Sequence, residues 1–311
     1  MSPSPIFGAI EAGGTKFVLG VGTGPEDMRE TTRIETNTQS TPSSEILAKV
    51  TSWFQEAESR HGKLAAIGVG TFGPAGVNPA AADYGYITTT PKPLWANTDV
   101  LGALRKVFAV PMGFDTDVNA AALGEWRWGA GQGCGTLLYL TVGTGIGGGA
   151  LVQGRPLHGL LHPEMGHLRI PRAAGDTFEG ACPWHGDCLE GMANGPAMEK
   201  RWGVKASTLP PDHEAWEMEA HYLACACVNF LMTLSPERCI IGGGVTENDH
   251  LLPRVRARCA ALVNHYLAHP ALAGGLENWL VAPGLGTRSG LLGALALAQE
   301  ALTAAAAETK V

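Results

Sequence analysis

Apolar positions along the chain fall into short runs in some segments and into helical repeats in others. Short apolar runs that end at Gly, Asp or Asn are typical of buried strands. Such runs predict strands over residues 64–71, 110–114, 137–142, 239–241 and 280–282. A further apolar stretch turns at Gly13-Gly14 and predicts a β-hairpin over residues 6–22.

Apolar residues three and four positions apart predict the helices. Residues 42–59 show this spacing at Ile46 and Val50, and Ser43 or Ser44 is a candidate cap. Further helices are predicted over residues 100–108, 120–126, 214–235, 252–267 and 290–302. Because strands and helices alternate, we expect an α/β fold with mixed sheets.

Chain length and composition predict a globular protein of two domains. A chain of 311 residues is long enough for about two cores. Hydrophobic residues make up 45% and charged residues 16% of the sequence, as in an ordinary soluble enzyme. We expect domains at residues 1–115 and 116–311, and the last helix is a candidate to pack back onto the first domain.

Charge and cysteine usage exclude several classes of protein. A net charge of −7 disfavours a nucleic-acid partner. No apolar run reaches the roughly 18 residues that span a bilayer, and residues 1–5 lack the features of an export signal. Four of the seven cysteines lie in apolar or helical stretches, at positions 225, 227, 239 and 259. We therefore expect a protein of the reducing cytoplasm, without membrane contact and without a disulfide framework.

Two glycine- and threonine-rich turns suggest a phosphate site. Glycines let backbone N–H groups converge on one point, a geometry that suits a phosphate. The first turn contains Gly13, Gly14, Thr15 and Lys16, and the second contains Gly143, Thr144, Gly145 and Gly147. Either turn alone could be an ordinary hairpin. Together they predict a duplicated fold that holds one polyphosphate between its halves.

Asp117 is the candidate for the reacting carboxylate. It follows a predicted strand and precedes a helix of small residues, so its side chain would project from a strand end. An alcohol that attacks a phosphate loses its proton only as the bond to phosphorus forms, and a hydrogen-bonded aspartate suffices as the base. Asp117 could instead cap the helix, although Asp115 or Thr116 could also fill that role.

A cysteine and histidine cluster predicts a structural zinc site. Cys182, His185 and Cys188 follow at intervals of three residues, and His167 lies fifteen residues upstream. Two thiolates and two imidazoles give a closed tetrahedral Zn²⁺ site with no position for water. The alternative is a reduced cysteine pair with surface histidines, and His158 and His162 are further candidates for the fourth ligand. Trp95 is open between two roles, as an exposed aromatic platform for a ligand or as a core residue.

A series of short motifs follows in order along the chain: EAGGTK (11–16), TFGPAG (71–76), TDVNAAALGE (116–125), TVGTGIGGG (141–149), HPEMGH (162–167), CPWHGDC (182–188), LEG (189–191) and IIGGGV (240–245). In this order they resemble the ROK family of sugar kinases over nearly the whole chain. The sequences EAGGTKF, HPEMGH and CPWHGDC are similar to those of the zinc-containing fructokinase branch. The resemblance implies an actin-like, hexokinase-type fold, related to ribonuclease H, in which two α/β domains close on ATP and a hexose.

The resemblance also implies roles for individual positions. Asp117 corresponds to the catalytic base, and the residues that correspond to sugar contacts are Gly73, Pro74, Thr116, Asn119, Glu164, His167 and Glu190. Gly243 and Gly244 correspond to the glycines on the adenosine side. His167 thus has two candidate roles, in sugar binding and in zinc binding, and one ring nitrogen could serve each.

Three positions depart from the common family pattern. Glu11 replaces an Asp that helps to organise the metal and phosphates, Thr116 replaces an Asn, and His162-Pro163 replaces a Gly. The first change affects the distance to Mg²⁺, the second a sugar hydrogen bond and the third the shape of the pocket. Their outcome stays open at the level of sequence.

The leading hypothesis is an ATP-dependent kinase that converts D-fructose to fructose 6-phosphate, with Mg²⁺ as cofactor, structural Zn²⁺ and a homodimeric assembly. A kinase for glucose, mannose or an N-acyl hexosamine is the main alternative, because single pocket contacts decide between hexoses. A sugar-sensing transcription regulator is the third. The first phosphate strand begins at residue 6 and the net charge is negative, which argues against a DNA-reading module.

Overall fold

The computed structural model describes residues 4–37 and 40–308. Its strands are β1 (Ile6–Ala12), β2 (Lys16–Gly24), β3 (Asp27–Glu35), β4 (Leu64–Thr71), β5 (Tyr86–Ile87), β6 (Thr98–Asp99), β7 (Met112–Thr116), β8 (Thr136–Val142), β9 (Ile146–Val152), β10 (Arg155–Pro156), β11 (Arg238–Gly242) and β12 (Leu280–Val281). Its helices are α1 (Ser43–His61), α2 (Val100–Arg105), α3 (Asp117–Trp128), α4 (Leu189–Ala193), α5 (Gly195–Trp202), α6 (Ala215–Leu234), α7 (Leu251–Val263) and α8 (Ser289–Glu308).

The chain forms two compact units that interleave along the sequence. The first contains Met1–Gly129, Pro156–Pro163 and Arg288–Val311, and the second contains Ala130–Arg155 and Glu164–Thr287. The structure therefore divides the chain differently from the boundary expected after residue 115. The reason is that α3 and α8 pack on each other and on the first sheet.

Each unit is built on a five-stranded mixed sheet with the same arrangement. The strand order is β3-β2-β1-β4-β7 in the first unit and β10-β9-β8-β11-β12 in the second. In both sheets the central strand pairs antiparallel with its hairpin partner on one side and parallel with the next strand on the other. This repetition is the duplicated α/β fold that the two glycine turns predicted.

Small residues bring α8 close to its neighbours in the first unit. A Cβ on Gly293 would lie 1.7 Å from the carbonyl oxygen of Ala120 in α3. A Cβ on Gly68 of β4 would lie 1.9 Å from the carbonyl oxygen of Ala294. Neither position has room for a side chain, so the close packing of α8 against α3 and the sheet depends on glycine at both.

Most predicted elements form, with differences at their ends. The predicted strand over 64–71 coincides with β4, whereas the last helix, predicted to end at residue 302, continues to Glu308. The cap predicted for α1 is not made by a serine, because Pro42 occupies the N-cap and the Ser43 hydroxyl instead accepts a hydrogen bond from Thr98. Several elements were not predicted, among them β3, α4, α5 and the two-residue strands β5, β6 and β10.

One helix passes a simple test for a membrane span. The segment 286–308, which contains α8, is long and apolar enough to cross a membrane by length and composition alone. In the structure its residues 289–298 are buried, and the helix packs against β1, β4 and α3. Burial within the first unit accounts for its apolar composition.

Candidate functional site

The first glycine turn joins β1 to β2 and carries little side-chain bulk. The Gly13 N–H donates a hydrogen bond of 3.0 Å to the Lys16 carbonyl oxygen. A Cβ on Gly13 would lie 2.8 Å from that same oxygen, so the tight turn excludes any other residue. Thr15 is exposed at the tip of the turn, and Gly13, Gly14 and Lys16 are half-buried.

Glu11 is the penultimate residue of β1, close to this turn. Burial raises the pKa of the Glu11 carboxyl, and the neighbouring Lys16 acts in the opposite direction. A Cβ on Gly290 at the start of α8 would lie 2.6 Å from Glu11 Oε1. The absence of a side chain at position 290 therefore provides space for the longer carboxylate that replaces the usual aspartate.

Thr116, rather than Asp117, caps helix α3. The Thr116 hydroxyl accepts a hydrogen bond of 3.2 Å from the Asn119 N–H. Asp117 is the first residue of the helix and is half-buried, with Oδ1 2.9 Å from the Val118 N–H that donates to it. The sequence left the capping residue open, and the structure assigns the cap to Thr116.

A buried network lies behind Asp117. Asp115 Oδ1 accepts hydrogen bonds of 2.7 Å from the Thr116 N–H and from Asn119 Nδ2. His158 Nε2 lies 2.9 Å from Asp115 Oδ2, and this hydrogen bond raises the pKa of His158. Asn119 Oδ1 is buried and finds no donor among the described residues. A buried acceptor of this kind suits a ligand hydroxyl.

His162 supports the loop that follows β4. Its Nε2 accepts a hydrogen bond of 3.0 Å from the Ala75 N–H. A Cβ on Gly73 would lie 3.2 Å from the imidazole, so the ring packs directly on the Gly73-Pro74 segment. Since His158 and His162 both have partners in the first unit, neither is a fourth ligand of the cysteine cluster, which corrects that alternative.

Trp95 is a core residue of the first unit. It is fully buried, and its ring centroid lies 5.3 Å from that of Phe17 and 5.5 Å from that of Phe72. The possibility that it forms an exposed platform for a sugar ring is therefore not supported. Instead, its ring packs against Phe72 and so supports the segment that leads into Gly73.

The second glycine turn and the Gly243-Gly244 pair lie together in the second unit. Val245 N–H donates to the Val142 carbonyl oxygen over 3.0 Å, which joins the end of β11 to the end of β8. Gly243 has a φ of 96°, and a Cβ there would lie 2.5 Å from Val142 O. Gly244 has open space on its Cβ side. The turn at Gly143 and these glycines thus form one side-chain-free surface.

Asn194 positions the second turn, and the sequence reasoning missed it. Its Nδ2 donates to the Thr144 carbonyl oxygen over 3.0 Å, and its Oδ1 accepts from the Ala197 N–H to cap α5. An Asn followed by Gly-Pro is a common helix start, and this signal could have identified it.

Glu190 also contacts the second turn. Its Oε2 accepts a hydrogen bond of 2.9 Å from the Ile146 N–H. The predicted sugar ligands Glu164 and His167 lie at a 3-10 turn, Met165–His167, in which the His167 N–H donates to Glu164 O. A Cβ on Gly166 would lie 1.8 Å from Ile146 O, so this turn packs on the strand that Glu190 holds. The predicted sugar residues of this unit therefore meet around Ile146.

His167, Cys182, His185 and Cys188 converge in the second unit. Their ligand atoms all lie within 4.8 Å of one another. His167 Nδ1 lies 3.4 Å from Cys188 Sγ, 3.8 Å from Cys182 Sγ and 3.2 Å from His185 Nδ1. A tetrahedral zinc ion requires separations of about 3.3 to 3.8 Å between such atoms. The donor set and its spacing therefore fit Zn²⁺.

Charges around the cluster hold its loop in place. Arg172 Nη2 lies 3.0 Å from Asp187 Oδ2, and Arg169 pairs with the other oxygen. The hydrogen bond from Arg172 lowers the pKa of Asp187. Burial raises the pKa of the Cys188 thiol to about 11, so a bound cation has to displace a proton there.

Comparison with known proteins gives a family match over most of the chain. The model of the ROK family matches residues 7–301. A putative fructokinase of Bacillus subtilis is 43% identical over 306 residues, which cover 98% of this chain and 99% of that protein. The fructokinase of Zymomonas mobilis is 43% identical over 297 residues, or 94% and 96% of the two chains.

Solved structures have the same fold. The ROK hexokinase of Thermus thermophilus superposes with a TM-score of 0.75 at 26% identity, over 96% of this chain and 99% of that one. A ROK glucokinase of Streptomyces griseus, solved with glucose and AMPPNP, gives 0.73 at 23% identity, over 95% and 99% of the chains. The latter likeness shows the fold alone.

Proposed function

Because the chain belongs to the ROK family, we propose that it is a fructokinase, which transfers the terminal phosphoryl group of ATP to the 6-hydroxyl of D-fructose. The observation that carries this proposal is the 43% identity to fructokinases along nearly the full length of both chains. The glucokinase of Halalkalibacterium halodurans is only 29% identical, so another hexose finds less support.

Asp117 is the general base of the proposed reaction. The 6-hydroxyl donates a hydrogen bond to its carboxylate and loses its proton as the bond to phosphorus forms. Since the Thr116 hydroxyl caps α3, the carboxylate of Asp117 is not needed for that role. The buried Asn119 Oδ1 accepts a hydrogen bond from a second sugar hydroxyl. Glu164, His167 and Glu190 supply the remaining sugar contacts.

The glycine turns bind the nucleotide. The turn from Gly13 to Lys16 and the turn from Gly143 to Gly147 would contact phosphate oxygens, and the open space on the Cβ side of Gly244 leaves room for adenosine beside Gly243. Mg²⁺ would neutralise phosphate charge in this site. Glu11 is the acidic residue proposed to organise it, and a bound cation would offset the burial that raises the pKa of this carboxyl.

Zinc has a structural role in this proposal. Four protein ligands leave no open position for water, and the ion would fix the segment between the 3-10 turn at Met165–His167 and helix α4. His167 Nδ1 faces the cluster, so Nε2 is the atom available for a sugar hydroxyl. The protein is further proposed to act in the cytoplasm as a homodimer. Trp184 lies between the proposed metal ligands Cys182 and His185, and its 70% exposed side chain suits a partner contact.

An ADP-release assay over a panel of hexoses tests the substrate, and faster turnover of a hexose other than fructose would contradict the proposed substrate.

The variant Asp117→Asn tests the mechanism. The amide can still accept the Val118 N–H but cannot take a proton, so we expect kcat to fall by roughly 10² to 10⁴-fold while ATP still binds. Asp212→Asn, an exposed matched control, should leave kcat unchanged. Near-normal turnover of Asp117→Asn would contradict the role of Asp117 as the general base.

A further inference from the structure

Lys92 lies across the first glycine turn. A Cβ built on Gly14 would meet the Lys92 Cε at 2.7 Å and its Nζ at 3.4 Å. The same Nζ lies 3.8 Å from the centroid of the Phe72 ring. Phe72 directly precedes Gly73-Pro74, the segment proposed to support the sugar. The ammonium group therefore lies where the proposed phosphate turn and the proposed sugar loop adjoin.

The loop that carries Lys92 is anchored in the core. Trp95 N–H donates a hydrogen bond of 2.9 Å to the Lys92 carbonyl oxygen, and the Trp95 ring is fully buried against Phe17 and Phe72. Pro91 and Pro93 flank the lysine and restrict its backbone. A long, flexible side chain is thus carried on a rigid backbone, as expected of a group that must be aimed.

Gly14 accommodates Lys92 rather than a special backbone conformation. Its φ is not among the positive values found at twelve other glycines, so an L-residue could adopt this backbone. What an added side chain would displace is the Lys92 stem. The glycine at this position therefore keeps the lysine over the turn.

We propose that the ammonium group of Lys92 binds the phosphoryl group that is transferred. This inference rests on the proposed kinase function. The terminal phosphate carries negative charge on its peripheral oxygens, and a positioned cation stabilises that charge as transfer proceeds. The bond from the terminal phosphorus to the bridging oxygen of ATP breaks and the bond to the sugar oxygen forms. The sugar proton goes to Asp117, and Lys92 stays protonated throughout.

Lys92→Met tests the proposal, because methionine keeps an apolar stem beside Gly14 and removes the charge. We expect kcat to fall by about 100-fold, the cost of losing one preorganised donor, with little change in KM for fructose. Lys92→Arg should recover part of the loss. Lys106→Met removes the charge of an exposed lysine in the same unit and should have no effect. A kcat for Lys92→Met within threefold of the unmodified protein would overturn the proposal.

Binding measurements separate this inference from the proposed substrate. By calorimetry, Lys92→Met should weaken binding of a non-hydrolysable ATP analogue at least tenfold and leave AMP binding unchanged. Equal losses for both nucleotides would indicate a merely structural role and would contradict the proposal. If the unmodified protein does not phosphorylate fructose, the proposed substrate fails, yet this nucleotide comparison still decides the role of Lys92. Lys92→Gln provides the same readout if the methionine variant does not fold.

Discussion

A single hydroxyl decides what the proposed catalytic aspartate can do. An aspartate at the start of a helix commonly accepts the free N–H groups of the first turn. In this chain Thr116 accepts the Asn119 N–H, and Asp115 organises the same turn from behind. These two residues take over the structural tasks of the segment. The cap of α3 therefore does not depend on the carboxylate of Asp117, which we propose acts on the substrate.

The pair of His158 and Asp115 makes stability depend on pH. Its hydrogen bond raises the pKa of His158 above the ordinary value of about 6.5 in the unfolded chain. The folded state then holds the proton more tightly, so the stabilisation is complete below that value and is lost as pH rises through the folded pKa. We expect the stability lost in His158→Gln to be largest near pH 6 and to shrink towards pH 9.

Urea unfolding of both proteins at several pH values measures this difference. His265→Asn, which changes an exposed histidine of the second unit, should show no comparable trend. A difference between the unmodified protein and His158→Gln that stays constant or grows with pH would contradict the assignment of a charged His158.

Secondary-structure elements that depend on neighbouring residues could be predicted from the sequence, whereas contacts between distant segments could not. Hairpins, strand β4 and the Cys182-x-x-His185 spacing follow from neighbours in sequence, and the structure brings the metal ligands together. The burial of Trp95 and the partner of His158 depend on segments far along the chain, so the sequence could not specify them. Likewise β3 alternates exposed and half-buried residues, without an apolar run to reveal it.

The cluster of His167, Cys182, His185 and Cys188 gives a testable prediction of metal content. The unmodified protein, purified without added metal, should contain about one zinc ion per chain by elemental analysis. Cys182→Ser and Cys188→Ser should lose the metal and on the order of 4 kcal/mol of unfolding free energy, because a cross-link of the loop is lost.

Cys134→Ser is the matched control, since it changes a buried cysteine outside the cluster and should keep the metal. Full stability of both cluster variants, together with an absence of zinc in the unmodified protein, would show that the four side chains form no metal site.

At the scale of the whole molecule, helix α8 completes the first unit although it follows the second unit in the sequence. Residues 288–311 belong to it, and α8 covers the sheet through the close contacts at Gly68 and Gly293. The sequence left open whether the last helix crosses back, because apolar residues on a helix do not identify the surface that buries them. The contact is fixed only by the matching small residues of its distant partners.

Truncation tests this closure. Removal of all residues after Thr287 exposes the faces of β1, β4 and α3 that α8 buries, and we expect no cooperative unfolding transition from the first unit. Removal of the residues after Leu302 deletes a largely exposed turn of α8 and should lower stability by less than about 1 kcal/mol. Circular dichroism melts distinguish the outcomes, and a cooperative melt of the first unit in the shorter protein would refute the closure.

The interleaved order of the two units has a consequence for biosynthesis. The first 129 residues emerge from the ribosome early, but α8 emerges only after the second unit, so the nascent sheet of the first unit must wait with an apolar face uncovered. The second unit ends at Thr287 and has all of its chain earlier. Chaperones that shield nascent apolar surface should therefore engage the sheet of the first unit until α8 has emerged.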